Sequence, residues 1–235
     1  MTVSKKLTSE QRLRRMHDQL AAAYGEQYWW PAKTSFEVIL GAYLTQNTAW
    51  KAVERSLANL RAAGALSLEG LRGLTLEELQ QHIRPSGFFT RKAPALKAFV
   101  AMVDAEFGGS LDALAAAPTY TLRKRLLALP GVGPETADAI LLYALGHPVP
   151  VADEYLRRIA ERHQLVAPTK GRIGYETLTD LTRRAFAADP APHHAQLFNE
   201  FHALTVAVGK AHCSRSPRCE GCPLAADLRR MRNGR

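Results

Sequence analysis

Three short stretches hold the residues with most chemical promise. In Leu129-Pro130-Gly131-Val132-Gly133-Pro134-Glu135-Thr136-Ala137-Asp138, a Gly-x-Gly turn separates two segments of helical character, the first carrying Arg123, Lys124 and Arg125. Glycine reaches φ > 0 and lets the backbone approach another surface closely. Pro134 falls where a first helical turn tolerates a missing donor. Free N–H groups beside a positive helix end would seat a phosphate, although a bare Gly-x-Gly turn is also a common helix–helix connection. The second stretch is Pro150-Val151-Ala152-Asp153, opening a helix over 154–162. An aspartate there is an ordinary N-cap. The helix end also favours its ionised form, which could stabilise a developing cation or orient a water. The third is Cys213-x5-Cys219-x2-Cys222, an odd, clustered set of all three cysteines. That pattern argues against a disulfide framework and for a metal or cluster site.

Helices must position these groups, because strand signals are scarce. Leu13, Met16, Leu20 and Ala23 recur at helical spacing after Thr8 or Ser9. Phe36, Val38, Ile39, Ala42 and Tyr43 read as a more buried helix. Thr48 opens another, with Ala52, Val53, Leu57 and Leu60 on one face and Gly64 at its end. Further helices are predicted over 76–83, 91–107, 120–128, 135–145, 153–163, 175–187 and 192–211. The class is all-α. Pro85-Ser86-Gly87, the 130–134 turn and His147-Pro148-Val149-Pro150 punctuate the chain, the last as a hinge candidate. No repeat or low-complexity segment is present, and the Arg-rich tail over 229–235 lacks apolar periodicity.

Composition narrows the partner. The 235 residues carry 31 Lys plus Arg against 22 Asp plus Glu, a formal charge of +9, with 46% apolar and 23% charged residues. These are globular values, not those of a disordered chain. The charge favours polyanions, although general solubility accounts for it equally well. No apolar run approaches the ~18–20 residues that span a bilayer, and no signal-peptide core follows the basic N-terminus. A soluble, cytoplasmic, nucleoid-associated monomer is expected.

Taken together, these motifs resemble the helix-hairpin-helix (HhH-GPD) DNA glycosylase superfamily, the endonuclease III group. The resemblance rests on residues 129–138, on Asp153 placed 18 positions after Glu135, on Leu44-Thr45-Gln46-Asn47-Thr48, on Gly87-Phe88-Phe89-Thr90-Arg91-Lys92-Ala93 and on the cysteines. Trp29-Trp30-Pro31, Arg84-Pro85-Ser86-Gly87-Phe88 and Glu135-Thr136-Ala137-Asp138-Ala139-Ile140 are similar to 3-methyladenine DNA glycosylase III, a subgroup that removes alkylated purines and cuts no strand. The resemblance implies a two-lobe fold: a helical bundle over 28–147 that holds the hairpin motif, and a second lobe of 1–27 plus 148–235 with a cysteine (iron–sulfur) loop at 213–228. It also implies an active cleft between the lobes.

The implied roles follow residue by residue. Asp153 would serve the sugar cation. Glu135 stands where bifunctional members hold a Schiff-base lysine, so lyase chemistry is expected to be weak or absent; its other reading is an acid welcomed by the first helical turn. Gln46 and Phe88 would fill the gap left by a flipped nucleotide in double-stranded DNA, against readings as a capping amide and a partly exposed core ring. Trp29, Trp30 and Tyr43 are pocket candidates that could stack on a cationic alkylpurine, although tryptophans are more often core residues. Gly131, Val132, Gly133 and Lys124 would contact phosphate, as would Arg215 and Arg218.

The cysteine spacing departs from the family's pattern, with a first gap one residue shorter and Leu228 at the fourth position. Three readings stand: a [4Fe–4S] cluster held by Cys213, Cys219 and Cys222 with an unusual fourth ligand, water, an exogenous ligand or a nearby group such as Asp227 or His212; a zinc site completed by His212; or a relic loop of free thiols. The expected function is a monofunctional base-excision glycosylase for alkylated purines. The alternatives are an endonuclease III-like enzyme for oxidised pyrimidines and a non-catalytic binder of damaged DNA.

Overall fold

A computed structural model of the chain describes residues 7–27, 29, 34–167 and 171–228. The described residues are helical, apart from turns, extended segments and one isolated bridge, and no described helix is long and apolar enough to cross a membrane. The chain divides into two compact units, Trp30–His147 on one hand and Met1–Trp29 with Pro148–Arg235 on the other.

In the first unit, α2 (Ser35–Leu44) begins at Thr34, whose side chain accepts from the Glu37 amide, and it is buried from Phe36 to Leu44. Here α1 denotes Ser9–Tyr24 of the other unit. The next helix, α3 (Trp50–Ala62), starts two residues later than expected. The Thr48 hydroxyl does not cap it but donates to the Ser86 carbonyl at 2.6 Å. Two elements that periodicity missed are α4 (Leu68–Gly73), capped by Ser67, and α7 (Leu111–Ala115), capped by Ser110. Neither is long enough to show two turns of pattern. A Thr75/Glu78 capping box opens α5 (Leu76–Ile83). After the turn over Arg84–Ser86, the long α6 (Phe89–Phe107) supplies Leu96, Phe99, Val100 and Val103 to the core. The hairpin is formed by α8 (Thr119–Leu127) and α9 (Pro134–Ala139).

The segment expected as one helix over 135–145 changes pitch at Ile140. Ile140–Ala144 forms a wider turn, in which the Leu145 amide reaches back five residues to the Ile140 carbonyl at 3.2 Å. One extra residue is thereby accommodated inside a helix, and Ile140, Leu141, Leu142 and Ala144 are all buried, packed on α2.

In the second unit, Thr8 and Gln11 form a capping box at the start of α1, and Leu13, Met16 and Leu20 line its buried face against α11 (Tyr175–Ala185) and α12 (His194–Ala211). Phe186, Phe198 and Phe201 form an aromatic cluster in this core, with the Phe186 and Phe201 centroids 5.3 Å apart. The remaining helix, α10 (Glu154–Arg162), packs on α12. Their close approach depends on Gly209: a Cβ there would lie 2.2–2.7 Å from Tyr155 side-chain carbons. A buried triad fastens the C-terminal segment. Arg12 donates through Nε to Asp227 at 3.0 Å and through Nη2 to the His163 carbonyl at 2.7 Å, and His163 Nδ1 lies 2.8 Å from Asp227. Burial pushes the Asp227 carboxyl up, but hydrogen bonds from His163 and Arg12 outweigh it and leave it at about 2.

Candidate active site and nucleic-acid interface

Asp153 is the N-cap of α10, with extended backbone at φ −92° and ψ −178°. Its Oδ1 accepts the Leu156 amide at 2.9 Å. Its Oδ2 lies 3.7 Å from His202 Nε2, and the two side chains are only 11% and 8% exposed. Trp29 meets the His202 ring edge-on, at 5.1 Å between centroids and 73° between planes. Trp29 and Asp153 are therefore brought together through His202, a residue that sequence reading missed. It sits on an apolar helix with no local motif to mark it. Trp30 lies outside the described residues.

The hairpin turn divides the work between its glycines. Gly131 takes φ +73°, the left-handed region that favours glycine. Gly133 is extended at φ −93°, so its backbone needs no glycine. A Cβ there would meet nothing within 4 Å, so the bare backbone faces open space. Val132 between them is buried, anchoring the turn, whereas Glu135 and Lys124 are exposed. Arg123 pins the two hairpin helices with a bidentate pair to Asp138, at 2.6 and 3.0 Å, and Asp138 is fully buried.

Gln46 turns its amide onto this hairpin, donating to the Gly131 carbonyl at 3.0 Å and to Thr136 Oγ1 at 3.1 Å. Phe88 is 58% exposed and left-handed at φ 47°, directly after Gly87 at φ 64°. A large exposed apolar side chain on a left-handed backbone is costly. Lys92, also missed in sequence, joins these two loops. Its Nζ donates to the Leu44 carbonyl at 2.7 Å, Thr48 Oγ1 at 2.8 Å and the Ser86 carbonyl at 2.9 Å, and it lies 5.9 Å from the Phe88 ring centroid. Burial pushes this ammonium down to about 8. A lysine inside an otherwise apolar stripe (Ala93, Ala95, Leu96, Phe99) was the available signal.

Tyr43 corrects an expectation. It is 1% exposed, packs edge-on against Phe99 at 6.1 Å, and its buried hydroxyl finds no partner among the described residues. Its ring is a core ring with no open face to offer a base. Burial raises its phenol well above the ordinary range.

The cysteine loop is held by arginines. Arg162 donates to Cys213 Sγ at 3.0 Å and to the carbonyls of Ser214 and Arg215 at 2.7 and 3.0 Å, and Arg158 donates to the Cys213 carbonyl at 2.9 Å. Arg218 is exposed and donates to the Ala211 carbonyl, whereas the exposed Arg215 lines a groove with Arg157, Arg158, Arg162 and Arg172 and with Glu154 and Glu161, which pair with several of these arginines. Cys213 is buried, Cys222 half-buried and Cys219 exposed. Among the described residues no three His, Cys, Asp or Glu side chains converge where they could hold a metal ion. Asp227, one of the two stand-ins for a fourth ligand, is committed to Arg12 and His163. The other, His212, faces the Arg218 carbonyl through Nδ1 at 3.0 Å. These residues do not fit a four-ligand cluster.

Known proteins bear on this arrangement. The chain is 36% identical to "Putative DNA repair glycosylase MJ1434" of Methanocaldococcus jannaschii over 202 residues, 86% of this chain and 88% of that protein. The crystal structure of H. pylori 3-methyladenine DNA glycosylase (MagIII) bound to 1,N6-ethenoadenine superposes with a TM-score of 0.72 at 29% identity, covering 87% of this chain and 98% of that one. A trapped endonuclease III–DNA covalent intermediate shares the fold, with a TM-score of 0.74 at 23% identity over 96% of this chain and 100% of that one. Residues 40–184, more than half of the chain and including the hairpin and Asp153, match the HhH-GPD family: the chain belongs to the HhH-GPD superfamily of base excision DNA repair proteins.

Proposed function

We propose that this DNA glycosylase is monofunctional and hydrolyses the N-glycosidic bond of alkylated purines in duplex DNA. The observation that carries the reading is Asp153. Its carboxylate is shielded, with Oδ1 taken up by the Leu156 amide and Oδ2, 3.7 Å from His202 Nε2, not held by α10 itself. As the glycosidic bond breaks, its electron pair passes to the base, which in an N-alkylated purine is already cationic and departs neutral. The sugar is left with an oxocarbenium charge that the Asp153 carboxylate offsets. Water then adds at C1′, giving up its proton towards the same carboxylate. Glu135 supplies no amine for a Schiff base. Lys92 is an amine whose Nζ is already engaged by three acceptors.

In this reading, the turn at Gly131–Gly133 and Lys124 contact phosphate, while Phe88 and Gln46 occupy the space vacated by the flipped nucleotide. Likeness to MagIII, at 29% identity over nearly all of that chain, supports the choice of alkylpurines. The test is single-turnover excision from end-labelled duplexes carrying 3-methyladenine, 1,N6-ethenoadenine, thymine glycol, uracil or an abasic site, each read with and without hot alkali. Breaks at the alkylpurines that appear only after alkali are expected. Breaks without alkali, or reaction confined to thymine glycol, would overturn it. Asp153→Asn keeps a capping side chain and should lower the rate by about 100-fold or more while DNA is still bound.

A further inference from the structure

We infer that His202 is a positioning residue for Asp153, an inference that rests on the catalytic reading of that aspartate. The carboxylate's two oxygens have different surroundings. Oδ1 is fixed by the Leu156 amide at 2.9 Å, and Oδ2 by nothing on α10 itself; the side chain facing it is His202, from α12, at 3.7 Å. That distance suits an ion pair or a dipole aimed at the oxygen and is longer than a direct hydrogen bond. The imidazole therefore orients Oδ2 electrostatically and leaves its lone pairs for water or the sugar. With both side chains nearly buried, such an interaction is poorly screened.

Three packing features set the place of His202: one bears on its ring, one on its backbone and one on the spacing of its helix from α10. Trp29 stands edge-on against its ring, which limits rotation. Thr205, one turn along α12, donates its hydroxyl to the His202 carbonyl at 2.8 Å. Gly209, seven residues on and so on the same face of α12, receives the Tyr155 ring where any Cβ would collide. Tyr155 follows Asp153 by two residues. The absence of a side chain at Gly209 thus sets the spacing between α12 and the first turn of α10, and with it the reach from His202 to Asp153. A histidine kept only for packing would gain nothing from facing a carboxylate, and leucine would fill the same volume.

The test compares His202→Leu with His202→Gln in single-turnover excision over the same duplex panel, alongside binding to an abasic-site duplex and thermal melting. His202→Leu should lower the excision rate by about 10- to 100-fold, the scale of a misplaced catalytic group, with abasic-duplex binding unchanged. His202→Gln, which keeps an N–H donor near the Nε2 position, should recover most of that loss. A merely structural histidine would show loss in melting and binding together, with no recovery in glutamine over leucine. If Asp153→Asn is inert and His202→Leu excises at the wild-type rate, the inference falls alone. If Asp153→Asn excises normally, or the wild-type protein is silent on every duplex, the reading of Asp153 falls and takes the inference with it.

Discussion

Replacing Lys92 by methionine tests how the loop bearing Gln46 and the loop bearing Phe88 are joined, and the size of the effect depends on pH. The ammonium lies in a buried position with three acceptors at 2.7–2.9 Å, and burial lowers it from 10.5 to about 8. Between those two values the unfolded chain keeps a proton that the folded chain releases, so stability rises with pH. Over pH 8 to 9.5 the rise is at most about 2 kcal/mol, at 1.36 kcal/mol for each unit. The three acceptors favour the charged form and make this an upper figure. Below pH 8, Lys92→Met leaves the Leu44 carbonyl without its lysine donor, at a cost of about 1–3 kcal/mol, but relieves the burial of a charge of similar size. The stability difference at pH 7 is therefore small. It should widen in favour of wild type from pH 8 to 9.5. Urea unfolding of both proteins at half-unit steps measures this directly. Lys97, whose pKa burial also lowers, contributes the same slope to both proteins and cancels. The raised tyrosines Tyr24 and Tyr43 act only above about pH 10 and lie outside the range. Parallel stability curves across the range would refute the assignment of a depressed Lys92.

Three further outcomes are expected. Gly209→Ala drives a methyl into the Tyr155 ring and should cost about 1–3 kcal/mol in thermal or urea unfolding, the usual penalty of overpacking. Arg162→Ala removes donors from Cys213 Sγ and from two loop carbonyls; thiol labelling of the buried Cys213 should quicken relative to Cys219 in the same sample, and equal acceleration of both would point to global loosening. Phe88→Ala deletes a ring that is mostly in solvent and keeps the Cβ, so the positive-φ cost is unchanged; stability should change by less than about 0.5 kcal/mol while excision slows.

The sequence made the helices legible where an apolar stripe ran for two turns or more, as in α1 and α12. It hid α4 and α7, whose five or six residues hold too few contacts to show a period, and it could not show the pitch change at Ile140, because buried residues on every side carry no stripe. Asp153 at the head of α10 follows from the Ala152–Asp153–Glu154 boundary alone. What could not be read were the long-range partners: His202 beside Asp153, Lys92 between two loops, and Arg162 on Cys213, each a side chain whose role comes from a residue more than 40 positions away. Tyr43 was misjudged because an aromatic next to a functional loop and an aromatic in the core look the same until the neighbour, Phe99, is in place.

The wide turn at Ile140–Ala144 also constrains how this sequence can vary. An α-helix advances about 100° for each residue, and the wide turn takes up one extra residue without passing that angle on, so deleting one residue within Ile140–Ala144 would restore regular pitch and leave Pro134–Ala139 in phase. A further insertion there, with no second wide turn to take it up, would instead turn part of the buried Ile140, Leu141, Leu142 and Ala144 face away from α2.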